Sequence, residues 1–312
     1  MNGALLIRKE PGVSSFGVVD ALKTQLIKIK GIKPKDLPKL GHGGTLDPFA
    51  TGLLMVCIGR GVKLARYFLG SRKEYEGLMK FGETTVPGDP TSPISESTNV
   101  LPESIEPMQD LARRLTLQPY LQIPPMHSAK KVNGKPLYEL AREGIEIERD
   151  PKLCHLFKFE ILSFEKPYAR FRVRCSSGTY IRTLAQDFGK LLGSLALLET
   201  LDRTGSGAFS VANAWSLGQM REATEANTPW NELPNFIPFD RMLESYSRAD
   251  ASDEEAQAIY QGRQNALFSI LKRATHCEEA EDIVTVYHRD QLIAIARREN
   301  NIWGLERVFV RS

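Results

Sequence analysis

The chain has 312 residues, 42% of them hydrophobic, which is enough for one large packed domain plus a small one and excludes a disordered chain. Its formal net charge of +3 is only mildly basic, so a nucleic-acid partner has to be held by a local patch rather than by a global field. Four scattered cysteines (Cys57, Cys154, Cys175 and Cys277) form no CxxC pair, which argues against a structural zinc; with no signal peptide and no long apolar run, the expected location is the cytoplasm.

Ala4 to Ile7 reads as a short apolar strand, followed by a turn over Lys9 to Ser15 and a helix that Ser14 or Ser15 caps, with Val18, Val19, Leu22 and Leu26 on its buried face. The lysine- and proline-rich stretch 28–40 is a surface loop, either solvated or touching RNA phosphate. In GHGGTLDPFATG, Gly41 to Gly52, Asp47 precedes a proline that disfavours the helical conformation, so its carboxylate is presented on a turn. Gly43 and Gly44 leave room for another backbone, protein or nucleic acid, to approach, and His42 beside them, without partner ligands for a metal, is either a nucleic-acid contact or a plain structural histidine. Taken alone, the turn is an ordinary Asp-Pro connection between strands. Leu53 to Ile58 has the length of a buried central strand, and Lys63 in the Gly59 to Lys63 run reads by itself as an exposed helix residue.

From Tyr75 a strand alternates Tyr75, Gly77, Met79 and Phe81 on one face with Glu76, Leu78 and Lys80 on the other. Residues 90–100 read as a mobile Ser/Thr/Pro segment, and Pro107 to Leu117 as a helix with Met108, Leu111, Ala112 and Leu115 in one stripe. Gln122 to Gly134 gives a stiff Pro-Pro lead into a basic hairpin or loop. Ala169 to Cys175 alternates core residues with Arg170, Arg172 and Arg174, a cationic face. After Ser177 to Tyr180, Ile181, Leu184, Ala185, Phe188, Leu191 and Leu192 recur at helical spacing, with Arg182 off that stripe. Residues 220–239 form a mixed linker. Ser252 to Glu255 is a capping box for a helix that Gly262 closes, Ile283 to Tyr287 and Gln291 to Ala296 pair as a hairpin, and Arg307 to Val310 supplies a last strand. Arg297, Arg298, Arg307 and Arg311 either bind phosphate or keep the surface wet.

Taken together, GHGGTLDPFATGLL, the Gly59 to Lys63 run, Arg72 to Tyr75, Phe81 to Asp89, QIPPMHSAKKVNG, YELAREG, SGTYIRT and LDRT with Gly207 and Phe209 resemble, in order, the motifs of TruB-type pseudouridine synthases. Glu10, Val62 and Pro87 depart from that pattern at single positions. The resemblance implies an α+β fold, a mixed, largely antiparallel sheet flanked by helices, with a small PUA-like β-barrel at the C-terminus. It divides the chain into a catalytic domain over 1–240, with an RNA-gripping insertion at about 82–150, and an RNA-binding domain over 241–312.

It also implies the reaction: uridine 55 in the T loop of tRNA is flipped out and isomerised to pseudouridine, with Asp47 as the nucleophile and neither cofactor nor metal required. Tyr75 packs on the target uracil close to the sugar, where it is a candidate for proton abstraction, Arg182 pairs with Asp47, Tyr180 lines the pocket, Leu201 is its apolar wall, and Lys63 occupies the family's lysine position. Whether the aspartate attacks sugar or base, or assists proton loss from the ribose, stays open. The partner is tRNA, and a monomer is expected, without membrane or obligate protein partner. Alternatives are a noncatalytic RNA-folding protein on the same scaffold and a guide-RNA-dependent enzyme of the dyskerin type.

Overall fold

The computed structural model describes residues 1–126, 128, 131–132, 135–275 and 282–309. Cys277, Val310 at the end of the expected last strand, Arg311 and, within the Gln122 to Gly134 motif, His127, Ala129, Lys130, Asn133 and Gly134 lie outside them. The chain opens with β1 (Gly3–Lys9), α1 (Ser15–Lys28), β2 (Leu40–His42), β3 (Thr51–Ile58), α2 (Ala65–Gly70) and β4 (Lys73–Phe81). A hairpin of β5 (Glu83–Thr85) and β6 (Ile94–Ser97) follows, then α3 (Glu106–Thr116), β7 (Tyr120–Gln122), the short β8 (Lys131–Val132) and β9 (Lys135–Pro136), α4 (Leu137–Arg142) and β10 (Lys152–Cys154). The long strands β11 (Leu156–Glu165) and β12 (Tyr168–Cys175) lead to α5 (Ile181–Leu191), β13 (Ala196–Ser206), β14 (Phe209–Ser210), α6 (Leu217–Glu225) and β15 (Phe236–Pro238). The remainder is β16 (Ser247–Asp250), α7 (Asp253–Tyr260), α8 (Asn265–Leu271), β17 (Ile283–His288), β18 (Gln291–Glu299) and β19 (Ile302–Val308).

Among the described residues the largest sheet has nine strands, with the path β11-β12-β4-β13-β3-β1-β15. Only the β13–β3 junction in it is parallel, and it is short: Asp202 faces Thr51 and Arg203 faces Gly52. The fold is therefore the expected mixed, largely antiparallel α+β sheet. Its two halves meet at this junction, each with its own core. On one half, α3 and α5 cover Phe159, Phe171, Val173, Met79 and Leu198; on the other, α1 and α6 cover Leu5, Ile7, Leu54 and Val56.

Several expectations change in detail. Residues 94–97 form an exposed strand pairing with β5 rather than a bare loop. The stretch read as a linker is structural: α6 opens on a capping box at Ser216, Trp230 and Leu233 are buried, and β15 is an edge strand on β1, where a terminal Pro238 costs no central ladder bond. The last strand begins at Ile302, because Asn300 and Asn301 adopt positive φ and close a tight hairpin with β18. The arginine face of β12 is largely neutralised: Arg172 donates to Glu76 at 2.9 and 2.6 Å, and Arg174 pairs with Glu74 at 3.4 Å, both acids lying on the neighbouring β4.

Where a small barrel is expected, β16 to β19 form a four-stranded sheet with α7 and α8 packed on it. The α7 capping box at Ser252 is formed as expected. A further apolar cluster runs from Leu6, Met55 and Phe68 through Phe239 and Leu243 to Tyr287 and Ile295, so this sheet shares buried surface with the first strands.

The parallel junction depends on Gly52. Its φ is +105°, and a Cβ there would lie 2.4 Å from the carbonyl oxygen of Arg203. Gly52→Ala is expected to lower unfolding free energy by at least about 2 kcal/mol, read as a lower urea midpoint; an unchanged midpoint would contradict this account of the junction.

Candidate active site

The turn carrying Asp47 lies between β2 and β3, and its shape is imposed from outside. Proline fixes one dihedral, and the Ala50 amide closes the turn onto the Asp47 carbonyl at 3.1 Å. Two serines divide the work at the start of α1. Ser14 caps the helix by accepting from the Gly17 amide, while Ser15 staples the turn, its hydroxyl accepting from the Leu46 amide at 2.8 Å and donating to the Leu46 carbonyl at 3.2 Å.

Two buried cations hold the remaining carbonyls. Lys9 Nζ donates to Pro48 O at 3.0 Å and Glu10 O at 2.9 Å, and the Gly12 amide reaches the same Pro48 oxygen at 2.8 Å. Arg203 on β13 spreads its guanidinium over Leu53 O, Gly44 O and Thr45 O at 2.8, 3.2 and 3.3 Å. Buried carbonyls need such partners, and a guanidinium with several fixed donors can serve three at once. Gly43 admits the side chain of Phe68, whose Cβ would lie 3.0 Å from a Gly43 Cβ, rather than another backbone.

Asp47 itself is gripped by Arg182, the second residue of α5. Nε donates to Oδ2 at 2.9 Å and Nη2 to Oδ1 at 3.1 Å, a two-point clasp that fixes the carboxylate plane. The side chain of Arg182 is 4% exposed and that of Asp47 33%, so the anchor is buried and the acid open. Arg182 Nη1 also donates to Pro87 O at 2.8 Å and lies 3.6 Å from Oδ2 of the buried Asp89. Asp89 in turn is held by Thr91, whose amide donates to Oδ1 at 3.0 Å.

Asp47, Tyr75, Tyr180, Arg182 and Leu201 line a cavity of about 250 Å³ together with Lys73, Leu69 and Arg203. That is below the ~300–1,000 Å³ of pockets for drug-sized ligands and on the scale of a single nucleoside. Burial pushes the Tyr75 phenol up to about 12, so at neutral pH it is a hydrogen-bond donor and an aromatic wall, not a phenolate. Lys73 donates to Phe68 O, Ser71 O and Ser71 Oγ at 2.7, 2.6 and 2.9 Å, tying the end of α2 to the cavity wall. A larger groove of about 980 Å³ borders the same turn through Pro48 and Phe49, but Glu76, Glu165, Glu199 and Asp202 line it and it lacks Asp47.

The model for the TruB family pseudouridylate synthase N-terminal domain matches residues 29–181. A tRNA pseudouridine synthase B from Clostridium tetani is 32% identical over 313 residues, covering 99% of this chain and 100% of the relative. The chain belongs to the TruB family. A second relative of the same description, from Bordetella avium, is 42% identical over 241 residues, 75% of this chain and 94% of its own. Among solved structures, a Cbf5-Nop10-Gar1 complex aligns with a TM-score of 0.71 over 99% of this chain and 84% of that chain; at 22% identity this likeness speaks to the fold.

Of the residues singled out in this TruB-family sequence, five meet in the cavity and two do not. Lys63 is exposed on the short helical turn over Gly59–Leu64 and is not a lining residue. The lining begins at Gly44, leaving His42 outside it on β2, paired with Val56. Burial, then the neighbouring Arg203, lowers the His42 pKa, so its imidazole is neutral at neutral pH; Nδ1 is buried with no hydrogen-bond partner among the described residues. Sequence reasoning missed Lys9, Ser15, Lys73 and Arg203 as parts of the site. Lys9 sits between Arg8 and Glu10, and Arg203 between Asp202 and Thr204, so neither stands in an apolar run that would mark a buried cation.

Burial pushes the Lys9 ammonium from 10.5 down to about 8, against the pull of Asp47 and aided by the push of Arg203. Between these values the unfolded chain holds a proton that the folded chain has given up, so stability gains as pH rises. Compared with Lys9→Met, the wild type is expected to gain unfolding free energy from about pH 8 to about pH 10, followed by urea titration at each pH; a difference independent of pH would contradict the burial of this charge.

Proposed function

We propose that this chain isomerises uridine 55 in the T loop of tRNA to pseudouridine, with Asp47 as the catalytic carboxylate. The observation that carries this reading is the clasp of Arg182 on both oxygens of a partly open aspartate, at the wall of a cavity of nucleoside size that Tyr75 borders. The balance of the reaction is simple: the C1′–N1 bond of the nucleoside breaks, a C1′–C5 bond forms, the C5 proton leaves and N1 takes one up. Attack on the sugar, attack on the base and assistance in ribose deprotonation share one requirement, an ionised carboxylate held in a single orientation. Arg182 supplies the orientation, and Lys9 and Arg203 hold the backbone beneath it.

Flipping the nucleotide costs a few kcal/mol, and stacking on one aromatic such as Tyr75 returns about 1–3 kcal/mol. Phosphate contacts have to supply the surplus. With Arg172 and Arg174 paired to acids, the exposed Lys28, Lys33, Lys35 and Lys39 beside β2 are better placed to do so. His42 lies on β2 at the end of that loop, which supports its reading as an RNA contact.

Residues 1–240 are read as the catalytic domain, with the stretch at about 82–150 gripping RNA, and 241–312 as a PUA-like RNA-binding domain. Arg297 and Arg298 are engaged by Glu306 and Asp282 at 3.0 Å, which weakens their reading as free phosphate ligands. The chain is read as working alone in the cytoplasm, as a monomer.

The test is incubation of purified protein with an unmodified tRNA transcript and mapping of pseudouridine. Product at position 55 without added guide RNA is expected, and Asp47→Asn is expected to abolish it while the RNA still binds. Absence of product from the T loop, or wild-type conversion by Asp47→Asn, would defeat the proposal.

A further inference from the structure

β11 carries an irregularity that the catalytic arrangement does not explain. Leu156 faces Cys175 and Lys158 faces Arg174, so Phe157 is an extra residue inserted between successive pairs of the ladder. A bulge of this kind sacrifices regular pairing and re-aims a side chain, and bulges concentrate beside functional sites. Here the re-aimed side chain is a phenylalanine left 43% exposed.

Phe157 does not stand alone. The Arg72 guanidinium carbon lies 4.1 Å from its ring centroid, and the exposed His155 imidazole lies nearly parallel to the ring, at 17° and 6.2 Å. Arg72 directly precedes the cavity residue Lys73. His155 is stitched to Ser176, donating its amide to Ser176 Oγ at 3.0 Å and accepting the Ser176 amide at 2.8 Å, two residues before the cavity residue Gly178. Lys152, an exposed cation, donates to Ser177 O at 2.9 Å on the same rim.

A planar group beside an aromatic ring that carries a guanidinium, joined through Lys152 to the Gly178 edge of a nucleoside-sized cavity, is the composition of a stacking platform for unpaired bases. The reaction creates the need for one. When the target uridine leaves its stack, the bases on either side each lose a stacking partner.

We propose that Phe157, His155 and Arg72 form a second binding subsite that stacks a nucleobase of the RNA adjacent to the flipped uridine. This rests on the reading of the substrate given above. The bulge is the device that aims Phe157 at that base, and the outer face of the stack replaces the partner that flipping removes.

The probes are hairpin RNAs of the T-arm sequence, one natural and others carrying an abasic nucleotide at a single loop position, titrated against wild type, Phe157→Ala, Phe157→Trp and His155→Ala. Phe157→Ala is expected to bind the natural hairpin about tenfold more weakly, with the loss in KM rather than in the rate at saturating RNA, while Phe157→Trp retains affinity. One abasic position should weaken wild type by a similar factor and add no further loss in Phe157→Ala. Unchanged affinity in Phe157→Ala, or abasic penalties that persist undiminished in it, would overturn the subsite. A lowered melting temperature with wild-type affinity would also overturn it, assigning the stack to closing the bulge. Wild-type protein that binds these hairpins but converts no uridine would count against the functional reading and leave the stack standing.

Discussion

The structure turns on one buried guanidinium. Arg182 is almost fully removed from water, and a charge in that position is tolerable only if its donors are satisfied. Four oxygens close around it, both from Asp47, the Pro87 carbonyl, and Asp89 slightly farther off. Removing one partner from a buried ion pair typically costs about 3–5 kcal/mol, so the cluster is held together as a unit. A carboxylate on an isolated turn would sample many orientations; clasped at both oxygens it has one.

That clasp works because the turn opposite is equally constrained, and the constraint is distributed across the fold. β1 supplies Lys9, α1 supplies Ser15 and β13 supplies Arg203. The helix α2 links this region to the C-terminal sheet. Phe68 packs against Gly43 and its carbonyl accepts from Lys73, while its neighbour Tyr67 donates to Glu306 at 2.9 Å and accepts at its carbonyl from Tyr246 at 2.6 Å. Arg66 joins the same carboxylate of Glu306. The strands at the end of the chain thus buttress the helix that walls the Asp47 turn.

Local chemistry was legible where its cause is local. The Asp-Pro turn, the period-two burial of Tyr75 and Met79, the apolar stripe of α5 and the Ser252 capping box all follow from residues within a few positions of one another. What could not be read is whatever depends on the register between distant strands. Ser15, Lys9 and Arg203 meet the turn across 31, 39 and 159 residues of chain, and nothing in their own neighbourhoods marks those contacts. The arginines of β12 misled for the same reason: Glu74 and Glu76 were visible, but only the pairing of β12 with β4 sets them face to face. Arg182 was reached through resemblance, since a polar residue off an apolar stripe ordinarily points to solvent.

The central claim is that fixing the plane of the Asp47 carboxylate, beyond placing a positive charge near it, is what the site requires. Lysine keeps the charge and loses the two-point geometry. Single-turnover conversion of a T-arm RNA by Arg182→Lys, measured beside its RNA affinity, therefore tests the claim directly. The account predicts a rate lower by about a hundredfold or more with affinity close to wild type; conversion at the wild-type rate would contradict it.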